Sequence, residues 1–526
     1  MLSRSTGTND DFSFKSSTKM RSTDILRIGS ARVVLNHQSL RWKSRSSDIV
    51  DAKPVFRVLC SQHLPPVQQM ATTSNFSDSE KAHRGNLLRA VIASTIGTSI
   101  EWYDFFLYST VTGLVFAKEF FPNSDPFVGT LQAFLIYAVG FAARPVGAFI
   151  FGHYGDRIGR KAALVATLLL MGIATVLVGF VPNYSQIGIW GAVLLTILRF
   201  IQGVGVGGEW GGSVLLAMEW SKNNGNRGFI ASWPQFGVPC GLFLSNLAVL
   251  IFSLVSGDQF HAWGWRVPFF LSAILVAVGL WIRLGILETP IFAKLVAENK
   301  IEKAPAIEVI KRQPKSIMLS ALARMTEQTP FYIYTAFIFA FGVGYLKLSR
   351  DLLLNSVIAF SIIELFAIPL AGHLSDRIGR KRMYLIGAAI NFIVAFLFFG
   401  LLETKNTIFI VLAIVLGALA HSSVYGPQAA LIAEQFTPRM RYSGASIGYQ
   451  LASIIAGGPA PLIAAWLLAT FKSGTPIALY VAICAVIGFI AALLMTEYSS
   501  KDISREYEHV GQKQPSAGLD KKAGAA

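Results

Sequence analysis

Gly152-His-Tyr-Gly-Asp-Arg-Ile-Gly-Arg-Lys161 recurs as Gly372-His-Leu-Ser-Asp-Arg-Ile-Gly-Arg-Lys381, with only two positions changed. Each copy sits in a short polar break between two long apolar segments. Repetition this close, at positions far apart in the chain, makes the molecule two related halves. Halves with the same internal order must build the same bundle twice, and in a membrane chain that plan places a solute site between them near mid-membrane. A fainter echo supports the duplication: Glu219 followed by Arg227-Gly-Phe-Ile-Ala-Ser parallels Glu434 followed by Arg441-Tyr-Ser-Gly-Ala-Ser.

Composition places the chain in lipid. Of its residues 53% are hydrophobic and 14% charged, against about 25% charged in a soluble domain. Apolar stretches long enough to cross a bilayer, about 20 residues each, fall near 88–114, 128–152, 161–181, 187–215, 228–255, 265–287, 316–345, 351–373, 383–402, 406–434, 443–470 and 476–496. The expected fold is therefore an all-α polytopic membrane protein of twelve helices in two pseudosymmetric six-helix bundles. The bundles span 88–287 and 316–498, joined by a polar loop over 288–315 and flanked by polar tails over 1–87 and 499–526. Met70 is an alternative start, which would leave 1–69 out of the protein. Lys and Arg crowd the loops after spans 2, 4, 6, 8 and 10 and are sparse in the alternate loops, so both termini are expected in the cytoplasm.

Several classes are excluded by what the chain lacks. Cys60, Cys240 and Cys484 are scattered, with no metal or redox spacing. The net charge of +16 lies largely in the N-terminal tail and the loops, which leaves no folded basic domain for nucleic acid. Gly203-Val-Gly-Val-Gly-Gly208 satisfies the dinucleotide fingerprint, but it lies inside an apolar helix without a preceding strand, where small residues serve close helix packing. No zinc-protease, nucleophile-elbow or Walker motif occurs, so neither an enzyme nor an ATP-driven pump is expected.

Ionisable residues inside lipid cost at least about 2.5 kcal/mol each and need a reason. Glu101, Asp104 and Tyr108 stand at i, i+3 and i+7 on one helix face. They read either as a proton or substrate site or as groups near the outer half that are hydrated or paired with Arg144. Arg199, Gln202 and Glu209 share an arc of the fourth span, where an acid from a neighbouring helix would balance the arginine. That arginine can pair a solute carboxylate bidentately or stand in a structural ion pair. Arg324 and Glu327, then Phe331 and Tyr334, share a face of the seventh span, with Pro330 allowing a bend; they read as cavity lining or as a local i,i+3 pair. His421, Tyr425 and Gln428 share a face of the tenth span, and His421 is either a proton relay or a hydrogen-bonded structural group. Gln235 and Gln450 are comparable polar candidates in the fifth and eleventh spans, and Glu364 stands in the eighth with no assignable partner.

The repeated decapeptides read as a gate rather than a pocket. In the first copy Gly152, Asp156, Arg157, Gly159, Arg160 and Lys161 are the gate candidates, with Glu219 and Arg227 from the echo. The second half supplies Gly372, Asp376, Arg377, Gly379, Arg380 and Lys381, with Glu434 and Arg441. Asp156 is expected to cap the following helix and to pair with an arginine of its own half. Topological anchoring alone is the other reading.

These residues resemble the major facilitator superfamily, whose loop signature Gly-x-x-x-Asp-Arg-x-Gly-Arg-Lys both copies match. Arg199-Phe-Ile-Gln202-Gly203 looks like that family's fourth-helix pattern. Glu101-Trp-Tyr-Asp-Phe-Phe-Leu-Tyr108, Gly207-Gly-Glu-Trp-Gly-Gly212 and Trp263-Gly-Trp-Arg-Val-Pro268 resemble the metabolite:proton symporters, a group with shikimate, α-ketoglutarate, citrate and proline/betaine carriers. The resemblance implies uptake of a small organic acid or zwitterionic metabolite by alternating access, with Arg199 tied to proton transfer. Protons would be the coupling ion, with no other cofactor and no nucleotide. It further implies a plasma-membrane protein, in a bacterial inner membrane, with lipid as its surroundings and a monomer sufficing. A proton-coupled antiporter or a sugar-type facilitator of the same superfamily is the alternative; Gly237-Val-Pro-Cys-Gly241 only partly matches the antiporter pattern.

Overall fold

A computed structural model describes the strands within 25–51 and residues 66–221 and 224–503. It divides into two units, 1–83 and 84–526. In the first unit, Ile25–Ile28, Ala31–Asn36, Ser39–Lys43 and Ile49–Asp51 (β1 to β4) form an antiparallel sheet in chain order. The register sets Val33 opposite Leu26 on one side and Trp42 on the other. These apolar runs are too short to stand out where spans of about 20 residues are sought, so the sequence reads there as a plain polar tail.

The membrane part is built of twelve long helices among the described residues. In the first half they are α1 (Pro66–Val111), α2 (Pro126–Ile158), α3 (Arg160–Phe180), α4 (Trp190–Met218), α5 (Arg227–Ser256) and α6 (Val267–Leu284). In the second half they are α7 (Pro314–Tyr332), α8 (Arg350–Ile378), α9 (Arg380–Glu403), α10 (Thr407–Ala433), α11 (Arg441–Ala452, continued as Pro459–Phe471) and α12 (Thr475–Leu494). Ten membrane spans are long and apolar enough by composition. The first and seventh positions are less apolar: α1 carries Glu101 and Asp104 among several Ser and Thr residues, and α7 carries Arg324 and Glu327 with Thr326, Gln328 and Thr329. Helix α1 starts at Pro66, a residue that suits the first helical position, rather than near 88, and the segment up to Gly85 lacks the apolarity by which a span is read.

Within the first half α2 and α3 pack on α4; between the halves α5 meets α8 and α10, and α11 meets α2 and α4. The glycine run of α4 serves this packing. A Cβ on Gly203 would come within 2.2 Å of the Gly140 carbonyl oxygen of α2, and one on Gly207 within 2.0 Å of that of Arg144. Only a missing side chain permits such backbone approach.

The 288–315 connection is not a plain loop. It holds the short helices Pro290–Ala297 and Pro305–Arg312, each with proline at its start. Three helices are interrupted by π-helical turns: Thr112–Phe116 after α1, Ile333–Phe337 and Ala340–Tyr345 after α7, and Ser453–Gly457 within α11. The turns after α1 and α7 stand at corresponding places in the two halves, and such turns gather at functional sites.

Candidate functional site

A cavity of about 320 Å³ lies between the halves. Phe106, Tyr137, Leu242 and Asn246 line it from the first half, and Tyr332, Thr335, Phe339 and Val357 from the second. On α2, Tyr137 stands roughly 22 Å along the axis from Gly152, where the first decapeptide begins. The cavity thus lies toward the end of the molecule away from the decapeptides.

Two buried guanidinium groups sit behind the tyrosines of this cavity. Arg199 lies over the rings of Tyr108, Tyr137 and Phe105 at 4.4, 4.6 and 4.7 Å. Arg144 lies over Phe105, Phe141 and Trp102 at 4.4, 4.6 and 5.5 Å. Phe105 is therefore shared by both cations. Arg199 donates to the Gln202 side chain at 3.2 Å, and Gln202 donates onward to Thr175. Among the described residues no carboxylate forms an ion pair with either arginine, and Nε and one terminal nitrogen of each have no hydrogen-bond partner. The acid expected beside Arg199 is absent; aromatic faces take its place, each worth up to about 2 kcal/mol when desolvated. That leaves much of the cost of burying a charge unmet.

The acids of the first half are engaged elsewhere. Glu209 pairs with Arg283 of α6 and accepts from Thr167 at 2.9 Å and Ser213 at 2.8 Å. Asp104 accepts from Ser272 of α6. Glu101 is buried one turn away, with one oxygen unpartnered, and Tyr108 is buried beneath Arg199. Breaking a buried pair strands a charge, at a cost of about 3–5 kcal/mol. Glu209→Gln should thus lower the folded yield in membranes sharply. Glu209→Met with Arg283→Met should recover most of it, read by thermal unfolding of the purified protein; equal losses in both would show that the pair is not the cause.

In the second half Arg324 and Glu327 approach to 3.3 Å outside hydrogen-bond geometry. Arg324 donates to the Tyr449 carbonyl at 2.7 Å and to Ser453 at 3.0 Å, and its guanidinium lies 3.3 Å above the Tyr449 ring. The other face of that ring stacks at 3.5 Å on Trp210 of the first half, whose indole donates to Gln235 at 2.7 Å. His421 bonds through Nδ1 to Glu364, the acid without a partner in the sequence, and its Nε2 lies 3.6 Å from Glu327. Tyr425 meets the Tyr449 hydroxyl at 3.5 Å, Gln428 donates to Tyr384 at 3.4 Å, and Gln450 donates to the Val206 carbonyl at 3.4 Å.

Tyr334 is a correction. It stacks on Phe398 of α9 at 4.0 Å, in the core rather than at the cavity. The π turn at Ile333–Phe337 breaks the α-helical register, so an extrapolation from Glu327 and Phe331 overshoots, and Tyr332 and Thr335 line the cavity instead.

At the decapeptide end the two halves are bonded together. Asp156 accepts from the backbone nitrogens of Tyr442 and Ser443 at 3.3 and 2.9 Å, and Asp376 from those of Gly228 and Phe229, both at 2.8 Å. Each aspartate therefore caps a helix of the opposite half, α11 or α5, and not the helix that follows it. The expected pairing within the half also forms, Arg160 at 3.1 Å and Arg380 at 3.0 Å. The echoed Glu and Arg cross over as well: Glu434 meets Arg227 at 3.0 Å, and Glu219 lies 3.6 Å from Arg441. Arg380 and Arg160 flank the same two glutamates at 3.2 and 3.6 Å.

Gly152 and Gly372 permit this contact; a Cβ would fall 2.8 Å from Ser443 and 2.6 Å from Ser232. Gly159 and Gly379 have φ of 115° and 98°, a conformation that favours glycine, and make the sharp turn between helices. Lys161 and Lys381 instead staple their own halves, donating to Leu284 and Ile286 carbonyls and to Leu493 and Met495 carbonyls. Arg157 and Arg377 are exposed and make none of the bonds between halves.

Sequence reasoning missed Glu288 and Glu497, which accept from the Lys161 and Lys381 backbone nitrogens at 3.1 and 2.8 Å. Their equivalent places just after α6 and α12 were the available signal. It also missed the segment after α12, whose Tyr498, Ser499 and Lys501 carbonyls accept from Arg227.

Two models of known families match: "Sugar (and other) transporter" over residues 89–332 and "Major Facilitator Superfamily" over 344–519. The inner membrane metabolite transport protein YhjE and the shikimate transporter of Escherichia coli are each 41% identical, over 78% of this chain and 94% of theirs. The chain belongs to the major facilitator superfamily. The transporter OusA of Dickeya dadantii, named for glycine betaine, proline, ectoine and pipecolic acid, is 32% identical over 80% of this chain and 85% of its own. The solved proton:xylose symporter XylE shares the fold at a TM-score of 0.67, with 20% identity, 80% of this chain covered and 98% of that one. This major facilitator protein is accordingly a multi-pass membrane transporter and not an enzyme.

Proposed function

We propose that this transporter takes up a small carboxylate together with protons, by rocking one half against the other around the central cavity. The observation that carries the reading is Arg144 and Arg199: two buried cations that form no ion pair among the described residues, behind the aromatic wall of the cavity. A carboxylate arriving there would complete both, through charge-assisted bonds to the unpartnered nitrogens. The cavity volume of about 320 Å³ suits a small solute, at the low end of ligand pockets. The bonded decapeptide end is taken as cytoplasmic from its lysines and arginines, so this conformation is the one loaded from outside. The shikimate transporter's likeness supports an acid as the solute.

Zwitterions are the second reading, favoured by the rings of Phe106, Tyr137, Tyr332 and Phe339 in the wall, which suit a quaternary ammonium. Purified protein in liposomes should accumulate one of labelled shikimate, α-ketoglutarate, citrate or proline betaine under an inward proton gradient, and lose that accumulation with a proton carrier. Gradient-independent equilibration would refute the coupling; transport of none of the four would refute the solute class.

A further inference from the structure

We propose that Glu327, His421 and Glu364 form the site that holds the transported proton, in the second half, apart from the arginines that hold the solute. This rests on the proton-coupled reading above and assigns its coupling site. The three groups come from α7, α10 and α8, and all are buried. The imidazole stands between two carboxylates, Nδ1 on Glu364 and Nε2 3.6 Å from Glu327.

Charge balance sets the number of protons. Arg324, 3.3 Å from Glu327, supplies one positive charge against two carboxylates. With a neutral imidazole the cluster carries one net negative charge in a buried place. One added proton makes it neutral, and a doubly protonated imidazole points one N–H at each carboxylate. The remaining groups that face the cluster are Tyr332 on α7, Tyr384 on α9, Tyr425 on α10 and Tyr449 on α11, phenols that are ordinarily uncharged near neutral pH. No second cation is needed, and a single proton closes the balance.

The cluster is placed to sense the solute. Phe331 packs on the His421 ring at 4.9 Å and on Phe106 of the cavity wall at 6.0 Å. Its neighbour Tyr332 lines the cavity directly. On the other side Arg324 lies on Tyr449, which stacks on Trp210 of the opposite half. A change of protonation thus acts on groups that join the two halves. Neutralised, the cluster favours the packed, loaded carrier; emptied of its proton, it carries a buried charge that opposes the return of a loaded one.

Glu364→Gln separates the functions, because Arg324 and Glu327 then balance without any proton. In liposomes, with the solute selected by the four-solute uptake, beginning with shikimate, Glu364→Gln should keep counterflow exchange within about threefold of the natural protein. It should lose accumulation under a proton gradient, at least tenfold, down to equilibration. His421→Gln should likewise abolish the proton uptake that accompanies solute binding to detergent-purified protein in weak buffer, a readout that needs binding but no vesicle.

Gradient-driven accumulation retained by Glu364→Gln would overturn the assignment. So would proton uptake on binding retained by His421→Gln, or loss of exchange and accumulation together in a Glu364→Gln protein with unchanged thermal unfolding. Natural protein that exchanges solute but shows neither proton-driven accumulation nor proton uptake would instead overturn proton coupling itself.

Discussion

Arg199→Met should give a folded transporter that no longer binds a carboxylate. Binding is expected to weaken by about 3 kcal/mol, roughly 150-fold, the scale for truncating one member of a buried hydrogen-bonded charge pair. Among the described residues, however, Arg199 meets rings and Gln202 and no carboxylate, so its removal strands no acid. Replacing a buried uncompensated charge by an apolar side chain of similar length relieves desolvation, and stability should stay level or rise by about 1–4 kcal/mol. Arg144→Met should weaken binding alike, but it also takes away a cation whose field acts on the buried Glu101, so its gain in stability should be smaller. Equilibrium binding and thermal unfolding of purified protein check both halves of the expectation. Unfolding in step with lost binding would make the arginine structural, whereas Glu209, whose loss strands Arg283, is expected to show that destabilising pattern.

Asp376→Ala should open the decapeptide end. The aspartate accepts two backbone N–H bonds of 2.8 Å from the start of α5, where the helix dipole also favours a negative charge. Losing this clamp should shift the balance between conformations by about 3 kcal/mol, or some 150-fold. Ser446 of α11 is buried between the halves, against Gly211. Ser446→Cys, in a protein cleared of its own cysteines, should be modified by a maleimide far faster once Asp376→Ala is added. Arg377→Ala, which removes an exposed side chain from the same decapeptide, should leave the rate unchanged. Equal labelling in all three would show that the clamp does not hold the end shut. Asp156→Ala, the equivalent change at α11, should reproduce the effect of Asp376→Ala.

The sequence by itself determined the membrane class, the duplication and the helices, because each rests on a local quantity: apolarity over a span's length, or a short exact pattern. It left Glu364 alone and did not mark Arg283, but it grouped Glu101 with Asp104, Arg199 with Glu209 and Arg324 with Glu327, since helical periodicity decides which side chains share an arc. Tyr334 departs from that because a π turn shifts the register, and no residue in the Ile333–Phe337 run announces the shift.

Partners were another matter, since they are set by which helices meet. Glu364 and His421 are 57 residues apart, and neither has a matching neighbour on its own helix. Glu219 and Arg227 look like a local pair in the chain, yet Arg227 bonds to Glu434 of the other half and Glu219 lies 3.6 Å from Arg441. Arg199 was expected to find an acid and instead found three rings, and only the tertiary structure decided it. The identity of a buried charge is written in one helix; whether that charge is balanced depends on the others packed against it.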